Sequence, residues 1–113
     1  MSDPLPDSLR VMADFECWPV WGVGLATDSP WTGDVELDRL PISDGLKAEL
    51  LAWADRYDAT YVRDDPAASS FQSEAERAAF ADDGRKLAER LKEELPSVSW
   101  SYRNVKTGDL ETI

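Results

Sequence analysis

The amino-acid sequence predicts a small α+β domain in which both chain ends form a mostly antiparallel sheet and two helices pack on one face. Apolar and polar residues alternate over residues 10–18 and again over 97–103, which is the period of a β-strand. Between these segments, two stretches carry apolar residues at helical spacing. The 113 residues, 42% of them hydrophobic, suit one domain with one core over residues 10–113. Together these patterns favour a two-layer α+β architecture.

The first predicted strand covers residues 10–18 and follows a flexible tail over residues 1–9. The residues expected on its core face are Val11, Ala13, Phe15 and Cys17. Cys17 is therefore expected to be a buried, inert thiol. Because proline cannot donate to a strand ladder, Pro19 predicts an end, a bend or an edge position there. A second short strand is expected over residues 20–25.

Each predicted helix begins after a serine N-cap. The first follows Ser43 and runs to about residue 60. The second follows Ser73, which opens a capping box, and runs over about residues 74–95. Gly84 lies inside this second helix, where glycine costs about 1 kcal/mol relative to alanine. It predicts either a close approach of an aromatic side chain or a kink.

The last part of the chain predicts a hairpin. Residues 97–103 alternate as a strand, and Thr107, Gly108 and Asp109 have the composition of a turn. A short return strand is expected over residues 110–113. Because it would lie at an edge of the sheet, it could pair with a second copy of the chain, which predicts a homo-oligomer as one alternative role.

The charge of the chain limits its partners. It carries 23 acidic and 12 basic residues, for a formal net charge of −11. A negative surface repels nucleic-acid phosphates and anionic lipids, so neither nucleic acid nor a membrane is the expected partner. A basic protein is the natural complement. The alternative is that the acidity only keeps the protein soluble.

The residue types present exclude much of the usual catalytic chemistry. With no histidine and one cysteine, the chain alone cannot build a Ser-His-Asp triad or a Cys/His zinc site. We therefore predict a non-enzymatic protein without cofactor or metal. The alternative is a metal-assisted hydrolase that uses carboxylates from Asp14, Glu16, Asp58 or Asp65. One cysteine, no secretory signal and no long apolar stretch predict a cytoplasmic location.

The candidate binding residues lie in the first third of the chain. They are Asp14, Glu16, Trp18, Trp21 and Trp31. Exposed tryptophan beside acidic groups is typical of protein-binding hot spots. The alternative is that residues 20–37 fold back and bury all three tryptophans.

Four segments carry a resemblance to known proteins. They are residues 13–21 (ADFECWPVW), 53–60 (WADRYDAT), 63–66 (RDDP) and 84–95 (GRKLAERLKEEL). Over about residues 10–103 the chain resembles small bacterial proteins of GC-rich genomes to which no activity is assigned. In size and acidity these look like the immunity or antitoxin partners encoded beside toxins. The resemblance transfers no functional residue. The net charge of −11, the missing catalytic residue types and the candidate tryptophans lead us to predict an immunity-like inhibitor of a basic partner, such as a nuclease toxin.

Overall fold

The computed structural model describes residues 5–14, 16–23, 31–59 and 73–113. Within them, five strands form one sheet and two α-helices pack against it. The strands are β1 (Ser8–Val11), β2 (Val20–Gly22), β3 (Asp34–Val35), β4 (Ser99–Arg103) and β5 (Leu110–Thr112). The helices are α1 (Asp44–Asp58) and α2 (Glu74–Glu94), and a 3-10 turn spans Leu37–Arg39.

The sheet joins the two ends of the chain, as the sequence predicts. Its strand order is β3-β2-β1-β4-β5. The central pair, β1 and β4, is parallel, and the other three pairs are antiparallel. The turn before β5 places Gly108 at φ +76°, a conformation that glycine adopts at little cost. These pairings confirm the α+β fold and place the return strand at a sheet edge.

The first strand is shorter than predicted and begins earlier. It covers Ser8–Val11, so Ser8 and Leu9 belong to the sheet and not to the predicted tail. Leu9 is fully buried. The strand stops because its antiparallel partner begins at Val20, and one bond, from Met12 N to Pro19 O (3.0 Å), closes the pair. Without a further partner strand, the alternating pattern cannot continue as sheet.

Both helices begin where the serine caps predict. Ser43 Oγ accepts from Leu46 N (3.3 Å), and Ser73 Oγ accepts from Glu76 N (3.1 Å). The first helix ends at Asp58 and the second at Glu94, each within two residues of the predicted end. Neither described helix combines the length and apolar character needed to cross a bilayer.

Gly84 marks the point where the two helices and the sheet come closest together. A Cβ at this position would lie 2.5 Å from both Trp53 Cζ2 and Tyr102 Oη. Trp53 is held by stacking on Phe80, with ring centroids 4.5 Å apart, and its Nε1 donates to Phe80 O (2.9 Å). Tyr102 Oη donates to Ala81 O (2.9 Å). These distances confirm the close-approach alternative, and α2 continues through Gly84 as one helix.

Replacing Gly84 by alanine is expected to destabilise the protein, although alanine is the better helix former. Trp53 and Tyr102 are each held by a hydrogen bond, so the new methyl group forces strain of about 1–3 kcal/mol. Gly45→Ala is the matched control, because no atom lies within 4 Å of its added Cβ. It is expected to be neutral or stabilising by up to about 1 kcal/mol. Urea unfolding measures both, and a Gly84→Ala variant as stable as Gly45→Ala would contradict the packing.

Candidate protein-binding site

The described residues of the connection between β1 and β2, 12–14 and 16–19, are tied to two other elements by carboxylates. Glu16 N donates to Asp58 Oδ1 (2.9 Å) at the end of α1. Trp18 N donates to Asp34 Oδ2 (2.9 Å) at the start of β3. Glu16 also has a positive φ of 59°, which a non-glycine residue adopts only at a cost. The connection is therefore a turn fixed against α1 and β3, and Asp14 and Glu16 do not share a strand face.

Four carboxylates gather at this turn, and we call Asp14, Glu16, Asp34 and Asp58 the acidic corner. Their common neighbour is the Cys17 thiol. Partial burial raises its pKa, and the charges of Asp14, Asp34, Asp58 and Glu16 raise it further. The acidic corner also lies at the C-terminal end of α1, whose dipole adds negative potential. The result is a concentrated negative surface drawn from three separate parts of the chain.

Tyr57 connects the acidic corner to a neighbouring cleft. Burial raises the pKa of its hydroxyl, and the charge of Asp14 raises it further. The cleft has a volume of about 230 Å³ and runs between the β1–β2 turn, the end of α1 and the hairpin before β5. Its lining residues are Met12, Ala13, Tyr57, Arg103, Asn104, Val105 and Gly108. A concave surface thus lies directly beside the negative charge.

Cys17 differs from its predicted environment. It was expected on the core face of a strand, but it lies on the turn and is only half-buried. Its raised pKa keeps the thiol protonated at neutral pH, and a thiol is a poor nucleophile compared with a thiolate. The expected burial is therefore wrong, and the electrostatic setting opposes a nucleophilic role.

The three candidate tryptophans have different surroundings. Trp18 and Trp21 are half-buried beside the acidic corner, and Trp21 Nε1 donates to Met12 O (3.0 Å). Trp31 is only 4% exposed and lies beneath the Arg39 guanidinium, 4.2 Å from its ring centroid. The expectation that Trp31 is an exposed anchor is therefore wrong. Trp31 is thus buried, as the alternative drawn from the sequence predicts, whereas Trp18 and Trp21 are buried only in part.

Sequence reasoning missed Asp34 as a member of this site. Asp34 is 16 residues from Trp18 along the chain and reaches it only because β3 pairs with β2, opposite Trp21. No local motif signals that pairing. Asp58 was considered only as a metal ligand. Its position against Glu16 depends on where α1 ends relative to the sheet.

The described residues give no support to the metal-assisted alternative. Among residues 5–14, 16–23, 31–59 and 73–113, no group of three or more His, Cys, Asp or Glu side chains is placed to hold a metal ion. Asp65, one of the carboxylates considered for such a site, lies outside the described residues. Phe15, predicted to be in the core, also lies outside them.

Neutralising one carboxylate of the acidic corner is expected to make Cys17 more reactive. In Asp14→Asn the pKa of the thiol falls toward its ordinary value, so alkylation by iodoacetamide at pH 8 becomes faster. Added salt should shrink the difference between variant and wild type. Glu89→Gln removes the same charge from the exposed side of α2 and should leave the rate unchanged. Equal rates for Asp14→Asn and Glu89→Gln would contradict the described cluster.

Comparison with known proteins identifies the family. The model of the Serratia CdiI immunity protein-like family matches residues 7–104, which includes every described element except β5. The chain therefore belongs to this family. No curated protein matches it. The family match confirms the immunity-like part of the resemblance seen in the sequence, whereas origin in a GC-rich genome stays a prediction.

Proposed function

We propose that this member of the Serratia CdiI immunity protein-like family is a non-enzymatic inhibitor that binds a basic toxin, such as a nuclease, through the acidic corner. The family match supports the immunity role. The observation that carries the binding site is that Asp58 and Asp34 both bond to the turn that bears Asp14 and Glu16. Inhibition would be by steric and electrostatic occlusion, in the cytoplasm and without a cofactor.

The ion pairs among the described residues lie away from three carboxylates of the acidic corner. Among the described residues, no lysine or arginine forms an ion pair with Glu16, Asp34 or Asp58. Elsewhere the pairing is extensive, as between Arg56 and Asp83 or between Arg85 and Glu111. Complementary charges steer association and select partners, which suits the recognition of a basic surface.

Like charges that gather at the C-terminal end of a helix reduce the stability of the fold. Within the corner, Asp58 and Asp34 offset part of that cost by accepting from the backbone N–H groups of Glu16 and Trp18. A surface that served solubility alone would spread its charge, because clustering adds repulsion without adding hydration. The clustering therefore favours recognition over the solubility alternative.

Trp18 and Trp21 are the proposed apolar anchors of the same surface. Each is half-buried, so its ring is held in place while part of it faces solvent. Trp21 stands opposite Asp34 in the sheet register, and Trp18 is bound to Asp34 through its backbone. An aromatic anchor next to charged groups is the usual composition of an interface hot spot.

The proposal is tested by removing two charges from the acidic corner. Asp14→Asn with Glu16→Gln keeps the side-chain shapes but lowers the local negative potential. Association with the toxin captured from the native host is expected to slow about tenfold at low salt, with a weaker salt dependence. Stopped-flow or surface-plasmon-resonance kinetics measure this rate, and growth protection of toxin-exposed cells provides the functional measurement.

The matched control is Glu89→Gln with Glu93→Gln, which changes the net charge equally. These exposed residues lie near the end of α2 that contacts Ser43 through Glu94, roughly 20 Å along α1 from Asp58. The control should bind at close to the wild-type rate. If both double variants slow association equally, only the total charge matters. If neither does, the acidic corner is not the binding site.

A further inference from the structure

The outer edge of β5 has backbone groups that the described residues leave without partners. Asn104 N donates to Asp109 O, and Ile113 N donates to Trp100 O, both at 3.0 Å. These two bonds show which backbone N–H and C=O groups of the segment point toward β4. In an antiparallel ladder the alternate residues face the other way. The N–H and C=O groups of Leu110 and Thr112 therefore point away from the sheet. No other described strand or side chain bonds to that edge.

This edge is short and carries one charged residue, Glu111, but it lacks the other features that usually prevent strands from pairing between molecules. β5 contains no proline, no lysine and no bulge. Leu110 is half exposed, one of two large hydrophobic side chains so exposed among the described residues. By contrast, the opposite edge of the sheet is the two-residue strand β3. The edge of β5 thus presents backbone donors, backbone acceptors and an apolar side chain that together fit an extended strand.

The distribution of charge indicates which strand could pair there. Residues 103–113 contain two basic residues, Arg103 and Lys106, and two acidic residues, Asp109 and Glu111, so this segment is neutral. The whole net charge of −11 therefore lies in residues 1–102. Two copies would repel each other across most of their surfaces and least across this edge. A basic toxin gains no electrostatic attraction here and is drawn instead to the acidic corner.

We propose that β5 pairs antiparallel with β5 of a second copy, which joins two sheets into one of ten strands. In one register, the outward N–H and C=O groups of Leu110 and Thr112 all form hydrogen bonds with the second copy. This register places Leu110 opposite the partner's Thr112, and Glu111 opposite the partner's Glu111. These two carboxylates are each neutralised by their own Arg85, whose Nε and Nη2 donate to Glu111 at 2.8 and 2.9 Å. The acidic corner lies at the β1–β2 turn, and β4 separates β1 from β5, so the paired edge does not include the acidic corner.

Concentration-dependent measurements on the unmodified protein test the pairing. The weight-average mass by sedimentation equilibrium should rise from the monomer value of 12.6 kDa toward twice that value as the concentration approaches roughly 1 mM. Over the same range, amide hydrogen exchange at Leu110 and Thr112 should slow several-fold, whereas Glu111 should be protected throughout. A protein that stays monomeric, or exchange at these two amides that does not depend on concentration, would overturn the proposal.

A proline substitution provides the matched variant pair. Thr112→Pro removes an N–H that points outward, so the β4–β5 ladder keeps its bonds, whereas Thr112→Ser keeps that N–H. Thr112→Pro should be monomeric and Thr112→Ser should dimerise as the wild type does. Both should bind the toxin equally, which separates this proposal from the proposed function. If Thr112→Pro and Thr112→Ser both fold and dimerise equally, the proposal is overturned. If Thr112→Pro fails to fold, the hydrogen-exchange measurement on the wild type still decides whether β5 pairs.

Discussion

The contact of Trp53 with the backbone at Gly84 is the constraint on which the rest of the structure depends. It brings α1 against α2 at a distance that a larger residue at position 84 would strain. Tyr102 meets the same point from β4, so one junction sets the position of both helices over the sheet. With α1 fixed, its final residues, Tyr57 and Asp58, come to lie against the turn between β1 and β2. The geometry of the acidic corner therefore follows from a packing contact in the core.

The core and the acidic corner make opposite contributions to stability. The core buries the large aromatic rings of Trp53, Phe80 and Tyr102, and their polar groups are bonded to backbone carbonyls. Such satisfied aromatic packing gives a small domain much of its stability. The acidic corner instead concentrates like charge at a helix end, and Glu16 adopts a positive φ there. At functional sites, a local cost in folding free energy is commonly offset by a well-packed core elsewhere in the protein.

The sequence predicted those features that depend on neighbours along the chain. The serine caps of both helices, the apolar stripes and the turn at Gly108 follow from local spacing, and the structure confirms them. The close approach at Gly84 was one of two local alternatives. The early end of β1 was not predictable, because it depends on which strands pair. The burial of Trp31 was one of two alternatives, because the local sequence does not decide what packs over residues 31–40. Asp34 joins the site only through the β2–β3 pairing, for which the sequence carries no local signal.

The indole N–H signals of the five tryptophans provide the most direct test of where the toxin binds. Trp53 and Trp100 donate to Phe80 O and Leu95 O inside the core, and Trp31 is buried, so these three serve as internal controls. In an NMR titration of the ¹⁵N-labelled protein with its captured toxin, the Trp18 and Trp21 indole signals should shift or broaden first. The three control signals should change little. Binding that leaves Trp18 and Trp21 unaffected while other signals move would contradict recognition through the acidic corner.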